Sequence, residues 1–209
     1  MSVKDGRTRR AEAQREIRKT AILNAALLVF SERGYHATSI THIVTQASVA
    51  RGTFYQYFDG KKAIFLELLE SLIHELKGSI VGVNQSPNAP ALHNQLIQTV
   101  QRIFNVVHAN RSITNILFRE AVGLDEDVDQ LLKAFYTGLQ QYIVTALHVG
   151  QSVGSVRMLH HEVVANCVVG SMRQVAQHYL VDHPDSPFDP LLVAEEIVTL
   201  HLHGVMKKA

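Results

Sequence analysis

Apolar residues in this chain recur at intervals of three and four almost from end to end, and no stretch alternates over strand length between turn signals. That period places one apolar stripe along each of a series of helices, and such stripes must bury against one another. The chain is therefore expected to be all-α. Hydrophobic residues make up 46% of its 209 residues, enough to fill a core and to exclude a disordered chain.

Breaks in the pattern place the helices. Residues 1–15 hold few apolar side chains and many charges, Arg7, Arg9, Arg10 and Arg15 among them, and read as a flexible basic arm. A first helix is predicted from about Glu16 to Arg33, with Ile22, Ala26, Val29 and Phe30 as its buried stripe and Gly34 placed for a left-handed cap. Ser39 can cap a second, short helix that buries Ile40, Ile43, Val44 and Ala47. Ser48 and Val49 then turn the chain into a third, from about Ala50 to Tyr57. Phe54 and Phe58, four apart, face inward and leave Arg51, Thr53, Tyr55, Gln56 and Tyr57 mostly outside. Three helices this short, the last two joined by so tight a turn, describe a helix-turn-helix domain, with the motif itself at about 39–58.

A longer helix from about Lys61 to Gly78 buries Ile64, Phe65, Leu68, Leu69, Leu72 and Leu76 and joins this head, residues 16–76, to a body of residues 77–209. Asn84 to Pro90 reads as a loop. Further helices are predicted at about Ala91–Ala109, Ser112–Val122, Asp127–Val149, His161–Val181 and Pro190–Lys207, with Gly150 and Gly154, then Pro184, Pro187 and Pro190, as breaks.

Charge divides the chain at the same junction. Residues 1–62 carry 11 Lys/Arg against 5 Asp/Glu, a net of +6, while the remainder carries 9 against 14, a net of −5. A basic head on a mildly acidic body is the balance expected when only the head meets a polyanion; a plain solvated basic surface is the alternative.

The run Gly34-Tyr35-His36-Ala37-Thr38-Ser39-Ile40, then Ile43-Val44, then Ala47 through Phe58, closing with Lys61-Lys62, closely resembles the DNA-binding head of the tetracycline-repressor (TetR) family. The resemblance implies that residues 50–57 form a recognition helix in the major groove of operator DNA. Gly52 has no side chain to keep a helix off the sugar-phosphate backbone. Tyr55 and Tyr57 offer hydroxyls to phosphates, as family members do, and Lys61 adds charge beside a helix N-terminus that favours an anion. Base edges are left to Arg51, Thr53 and Gln56, with Thr41 from the second helix; Arg51 to guanine is the leading assignment. Arg9 and Arg10 either reach the neighbouring minor groove or, as part of a flexible arm, make no contact with the DNA. Three positions depart from the family pattern. Ala50 stands where a capping serine is common, which leaves Ser48 as the available cap; His42 stands where an acidic residue would complete a capping box; Ser48 stands where glycine is usual.

One head reads half a site, so a homodimer is expected, by resemblance through the last two helices, whose apolar residues include Val163, Val164, Cys167, Val168, Val175, Leu180, Leu191, Leu192, Ile197, Val198, Leu200 and Val205. Gly170 and Ser171 would permit close approach. The middle helices would enclose an unknown small-molecule effector, with Phe104, His108, Phe118, Arg119, Tyr136 and Tyr142 as candidate lining and a hydrophobic or amphipathic compound as its class. Repression relieved by that ligand is the commonest arrangement in the family.

An enzyme or metal protein is the rival class, suggested by twelve histidines. His160–His161 and His201–His203 lack the one-face spacing of four that helical metal sites use, so neither catalysis, nor a cofactor, nor a metal is expected. Cys167 lies in an apolar segment, reads as a packed and inert thiol, and suits a reducing compartment. No apolar run reaches membrane-spanning length and no signal peptide is read, which makes the cytoplasm the expected location.

Overall fold

The computed structural model describes residues 3–121 and 124–205. Its order is α1 (Val3–Arg33), α2 (Ile40–Gln46), α3 (Arg51–Tyr55), α4 (Lys61–Ser79), α5 (Leu92–Ala109), α6 (Arg111–Ile116), α7 (Glu126–Ser152), α8 (His161–Gln177) and α9 (Pro190–Val205). Two single π turns, Leu117–Ala121 and His178–Asp182, continue α6 and α8. No strand occurs among the described residues, and none of their helices is long and apolar enough to cross a membrane. The ends predicted at Val122 and Lys207 lie outside the described residues.

Two compact units divide between Ser71 and Leu72, inside α4 and ahead of the boundary placed after residue 76 from sequence. In the first, Ile22, Ala26, Val29 and Phe30 of α1 are all buried, as are Ile43, Phe54, Phe58, Ile64 and Phe65. Phe30, Tyr35 and Phe65 form one aromatic cluster, with ring centroids 5.1 to 6.2 Å apart. Lys19 pairs with Glu67 at 2.7 Å.

Residues 3–15 depart from the expected arm. They are helical and prolong α1, because Ala11, Glu12, Ala13, Gln14 and Arg15 are good helix formers that continue an established helix without a new nucleus. Low hydrophobicity ruled out burial, not helicity, and every described side chain from Thr8 to Arg18 is exposed.

In the second unit α5 lies against α9 and α7 against α8 around a core that includes Phe104, Ile113, Val128, Leu132, Ala165, Leu180, Ala194 and Val198. Asp125 caps α7, its carboxylate accepting from the Asp127 amide at 2.9 Å, and Asp189 caps α9 in the same way through Leu191. Gly150 does not end α7 as expected; the helix runs through it to Ser152. The missing side chain makes room instead for Val156, whose Cγ2 would lie 2.6 Å from a Cβ at position 150. Gly154, with φ +76°, makes the turn.

Histidines paired across elements are a feature that sequence spacing did not reveal. His148 of α7 stacks on His161 of α8 with ring centroids 3.8 Å apart, and the His161 Nε2 is enclosed without a hydrogen-bond partner. Burial, then the charges of His148 and His160, lowers the His161 imidazole below its ordinary value; burial does the same to His201, which meets the Ser171 hydroxyl at 2.8 Å. A folded value below the unfolded one means that the unfolded chain takes up the proton first. The stability these sites contribute is therefore complete above about pH 6.5 and lost as the pH falls through the histidine range. Urea midpoints are expected to drop between pH 7.5 and 5.5, and the drop should be smaller in a His161→Gln, His201→Asn double variant. An unchanged pH slope in that variant would refute the assignment.

Candidate nucleic-acid interface and effector cavity

α2 begins at a complete capping box. Ser39 accepts from the His42 amide at 3.3 Å, and the Ser39 amide donates to His42 Nδ1 at 3.2 Å, so the histidine does through a ring nitrogen what an acidic residue does through a carboxylate. His42 is half-buried and part of the cap.

The same helix ends in a Schellman motif. Val49 donates to Val44 O at 3.1 Å and Ser48 to Thr45 O at 3.2 Å, with Ser48 in the left-handed region at φ +53°. The expected cap by Ser48 does not form: α3 has no side-chain cap at Ala50, and Ser48 serves the turn instead. A serine held there is strained by roughly 1–2 kcal/mol, partly offset in a glycine variant by the greater freedom of its unfolded chain. Ser48→Gly is thus expected to raise unfolding free energy by about 0.5–1 kcal/mol in urea titration. No gain, or a loss, would show that the turn is relaxed as it stands.

Between α1 and α2, Gly34 at φ +78° caps α1, its amide donating to Phe30 O at 2.9 Å. The buried Thr38 hydroxyl donates to Gly34 O at 2.7 Å. Lys61 completes this loop. Its ammonium donates to the carbonyls of Tyr35, His36 and Thr38 at 2.8, 3.1 and 2.9 Å and lies 4.5 Å from the centre of the Tyr35 ring. An ammonium has three N–H groups, and all three are engaged. In this structure the Lys61 ammonium clamps the segment that leads into α2.

The remaining candidates are on one short element and its flanks. Phe54 and Phe58 are buried and hold α3 in place, while Ala50, Arg51, Gly52, Tyr55 and Gln56 are exposed, Thr53 and Tyr57 half-buried, and Thr41 exposed on α2. Open space surrounds the position where a Gly52 side chain would stand. Arg51 and Tyr55 are neighbours one turn apart, the guanidinium 3.5 Å from the hydroxyl.

The extension of α1 adds residues that sequence reasoning did not assign. Arg15 lies 5.8 Å over the Tyr57 ring, and Arg15 and Arg18 share a shallow groove with Gln56 and Tyr57. Their spacing of three, one helical face, was the available signal; reading residues 1–15 as an arm obscured it.

The second unit encloses a cavity of about 220 Å³, lined by apolar residues of α4, α5, α7 and α8. Phe104, Phe118, Tyr136 and Tyr142 line it as expected. His108 and Arg119 do not: His108 is exposed and stacks on Phe188 at 5.3 Å, and Arg119 donates to Val181 O at 3.1 Å, joining the two π turns. Arg173 does line the cavity and went unassigned, although it is the one Asp, Glu, Lys or Arg between Glu162 and Asp182. Burial pushes the Tyr136 phenol above its ordinary value, opposed by the Arg173 charge, so it stays a neutral hydroxyl at physiological pH.

The apolar faces of α8 and α9 divide. Leu180, Ile197 and Val198 are buried in their own unit and Val168 lines the cavity, whereas Val163, Leu191, Leu192 and Leu200 are exposed, as is Cys167. Cys167 is not the packed thiol expected, because it shares the outward side of α8 with Val163 and Gly170, four and three residues away. The side chain of Val205 lies outside the described residues.

Comparison with known proteins follows the same outline. The family model of bacterial regulatory proteins of the tetR family matches residues 22–68. The HTH-type transcriptional regulator YdgC of Bacillus subtilis is 27% identical over 190 residues, 90% of this chain and 92% of that protein. A crystal structure from Syntrophomonas wolfei, assigned to the TetR family of transcriptional regulators, superposes with a TM-score of 0.69 at 25% identity, covering 89% of this chain and 93% of that one. A regulatory protein of the same family from Rhodococcus RHA1 gives 0.70 at 20% identity, covering 92% and 98%. The head of the chain thus matches the tetR family of helix-turn-helix transcriptional regulators, and relatives with that description align along nearly the whole chain.

Proposed function

We propose that this regulator binds operator DNA in the cytoplasm as a homodimer, represses there, and is released by a small molecule held in the cavity of its second unit. One observation carries the DNA half of this reading: α3 is anchored by two buried phenylalanines and turns Arg51, Gly52, Tyr55 and Gln56 outward together. In the major groove Arg51 reads guanine, Thr53, Gln56 and Thr41 add base contacts, and the backbone at Ala50 and Gly52 approaches the phosphates. Tyr55, Tyr57, Arg15 and Arg18 supply the phosphate contacts that Lys61 does not, with Arg9 and Arg10 beyond them on the same helix.

The dimer is formed through the exposed apolar residues of α8 and α9. Its ligand acts by preferring one of two arrangements of α4; tenfold weaker operator binding requires a preference of about 1.4 kcal/mol.

Binding to the promoter DNA upstream of the chain's own gene, measured against salt, tests the interface. Arg51→Ala is expected to cost about 1–3 kcal/mol on the preferred sequence and to relax one base position. Arg15→Ala should weaken all sequences alike and lower the salt slope by about one. Equal losses on every DNA for both variants would refute the base-reading role of Arg51.

A further inference from the structure

The cavity is apolar in an unusually one-sided way. Among the described residues that line it, Arg173 alone carries a charge, and no carboxylate faces it. Its guanidinium stands 5.9 Å from the centre of the Phe118 ring and 5.7 Å from that of Tyr136, so two aromatic faces orient it. Neither the guanidinium nor the Tyr136 hydroxyl makes a hydrogen bond or ion pair with the described residues. Arg173 is itself exposed, which places it where the cavity lining meets solvent.

Each of these facts has a plain reading when taken alone, since an arginine at a cavity edge is common. Their combination is more specific. A cation whose five N–H donors find no acceptor among the described residues, and which lies over two ring faces, suits a planar two-oxygen anion. Beside it stands a neutral phenol with a free donor. Behind both lies a wall of Leu76, Val100, Ile103, Phe104 and Leu139, with no further charge to satisfy a second polar group.

We propose that the effector is a single-headed amphiphile whose carboxylate pairs with Arg173 and accepts from Tyr136, while its apolar chain fills the cavity behind them. This rests on the reading of the cavity as the effector site and adds the chemical class of its occupant. An apolar cavity of about 150 Å³ takes a six-carbon benzene ring, so about 220 Å³ takes roughly eight or nine carbons. An eight-carbon carboxylate is the matching probe.

The experiment is calorimetric titration of the full-length dimer with octanoate, octanol and octylamine, with DNA release followed separately. Octanoate is expected to bind at least tenfold more tightly than octanol, and octylamine not measurably. Arg173→Gln should remove that advantage while leaving octanol binding unchanged, Arg173→Lys should restore part of it, and Tyr136→Phe should weaken octanoate alone. Thermal melts of the variants without ligand establish that the fold is kept.

Equal binding of octanoate and octanol, unchanged octanoate binding in Arg173→Gln, or no octanoate binding at all would overturn the proposal. Octanoate that binds through Arg173 without releasing operator DNA would uphold it and refute ligand-relieved repression. Release by some other compound, with no octanoate binding, would do the reverse.

Discussion

A Leu200→Glu variant is expected to sediment as a monomer at micromolar concentration and to bind a palindromic operator at least a hundredfold more weakly, a loss of about 2.7 kcal/mol. In the single chain Leu200 is 70% exposed, so a carboxylate there meets water and the melt of the isolated subunit should barely move. In a dimer built on the outward faces of α8 and α9, the same carboxylate would lie among Leu192, Val163 and their copies with no partner for its charge. Two heads on one duplex bind with the benefit of a high effective concentration, and a monomer loses it. Val153→Glu, on the loop after α7 and equally exposed, serves as control and should leave dimer and operator affinity intact. If Leu200→Glu remains dimeric, or if the control dissociates just as readily, the α8–α9 interface is wrong.

The second large effect is on folding. Lys61→Ala is expected to lower unfolding free energy by about 2–3 kcal/mol, because one ammonium satisfies three backbone carbonyls and covers the face of Tyr35. Lys61→Met, which keeps the apolar stem, should recover only a small part. The consequence for DNA follows from position: the clamped residues run directly into the Ser39 cap of α2, so a loosened loop weakens operator and random DNA through the fraction of folded heads. A phosphate-binding lysine would behave differently, leaving the melt unchanged and lowering the salt slope by about one. Urea titration beside a salt series separates the two roles.

The candidate interface was largely legible in the chain because it depends on local rules. Phe54 and Phe58 stand four apart, which puts both on one side of a single turn and every intervening polar residue on the other. Gly34, Ser39 and Pro190 mark helix ends by their own backbone and side-chain chemistry, and each is used that way. What was misread shares one cause. Lys61 read as a phosphate contact, Ser48 as the cap of α3 and His42 as a departure from a capping box, yet each satisfies backbone groups or occupies a backbone conformation that only the folded turn creates. Arg15 and Arg18 were obscured by composition, which reports that a segment cannot be buried but not whether it continues a neighbouring helix.

The cavity marks the limit of such reading. Phe104, Phe118, Tyr136 and Tyr142 were chosen for size and polarity and do line it, whereas His108 and Arg119, chosen on the same grounds, stack or bond elsewhere. From sequence alone came the all-α class, the positions of most helices, the basic head and the outward residues of α3, since each follows from periodicity, capping chemistry and charge along a few neighbouring residues. Tertiary structure alone decided which ammonium closes a loop, which histidines meet, and which arginine lies over two rings at the cavity. Those facts depend on residues far apart in the chain, and helical periodicity specifies the face a side chain occupies without specifying what the fold brings against it.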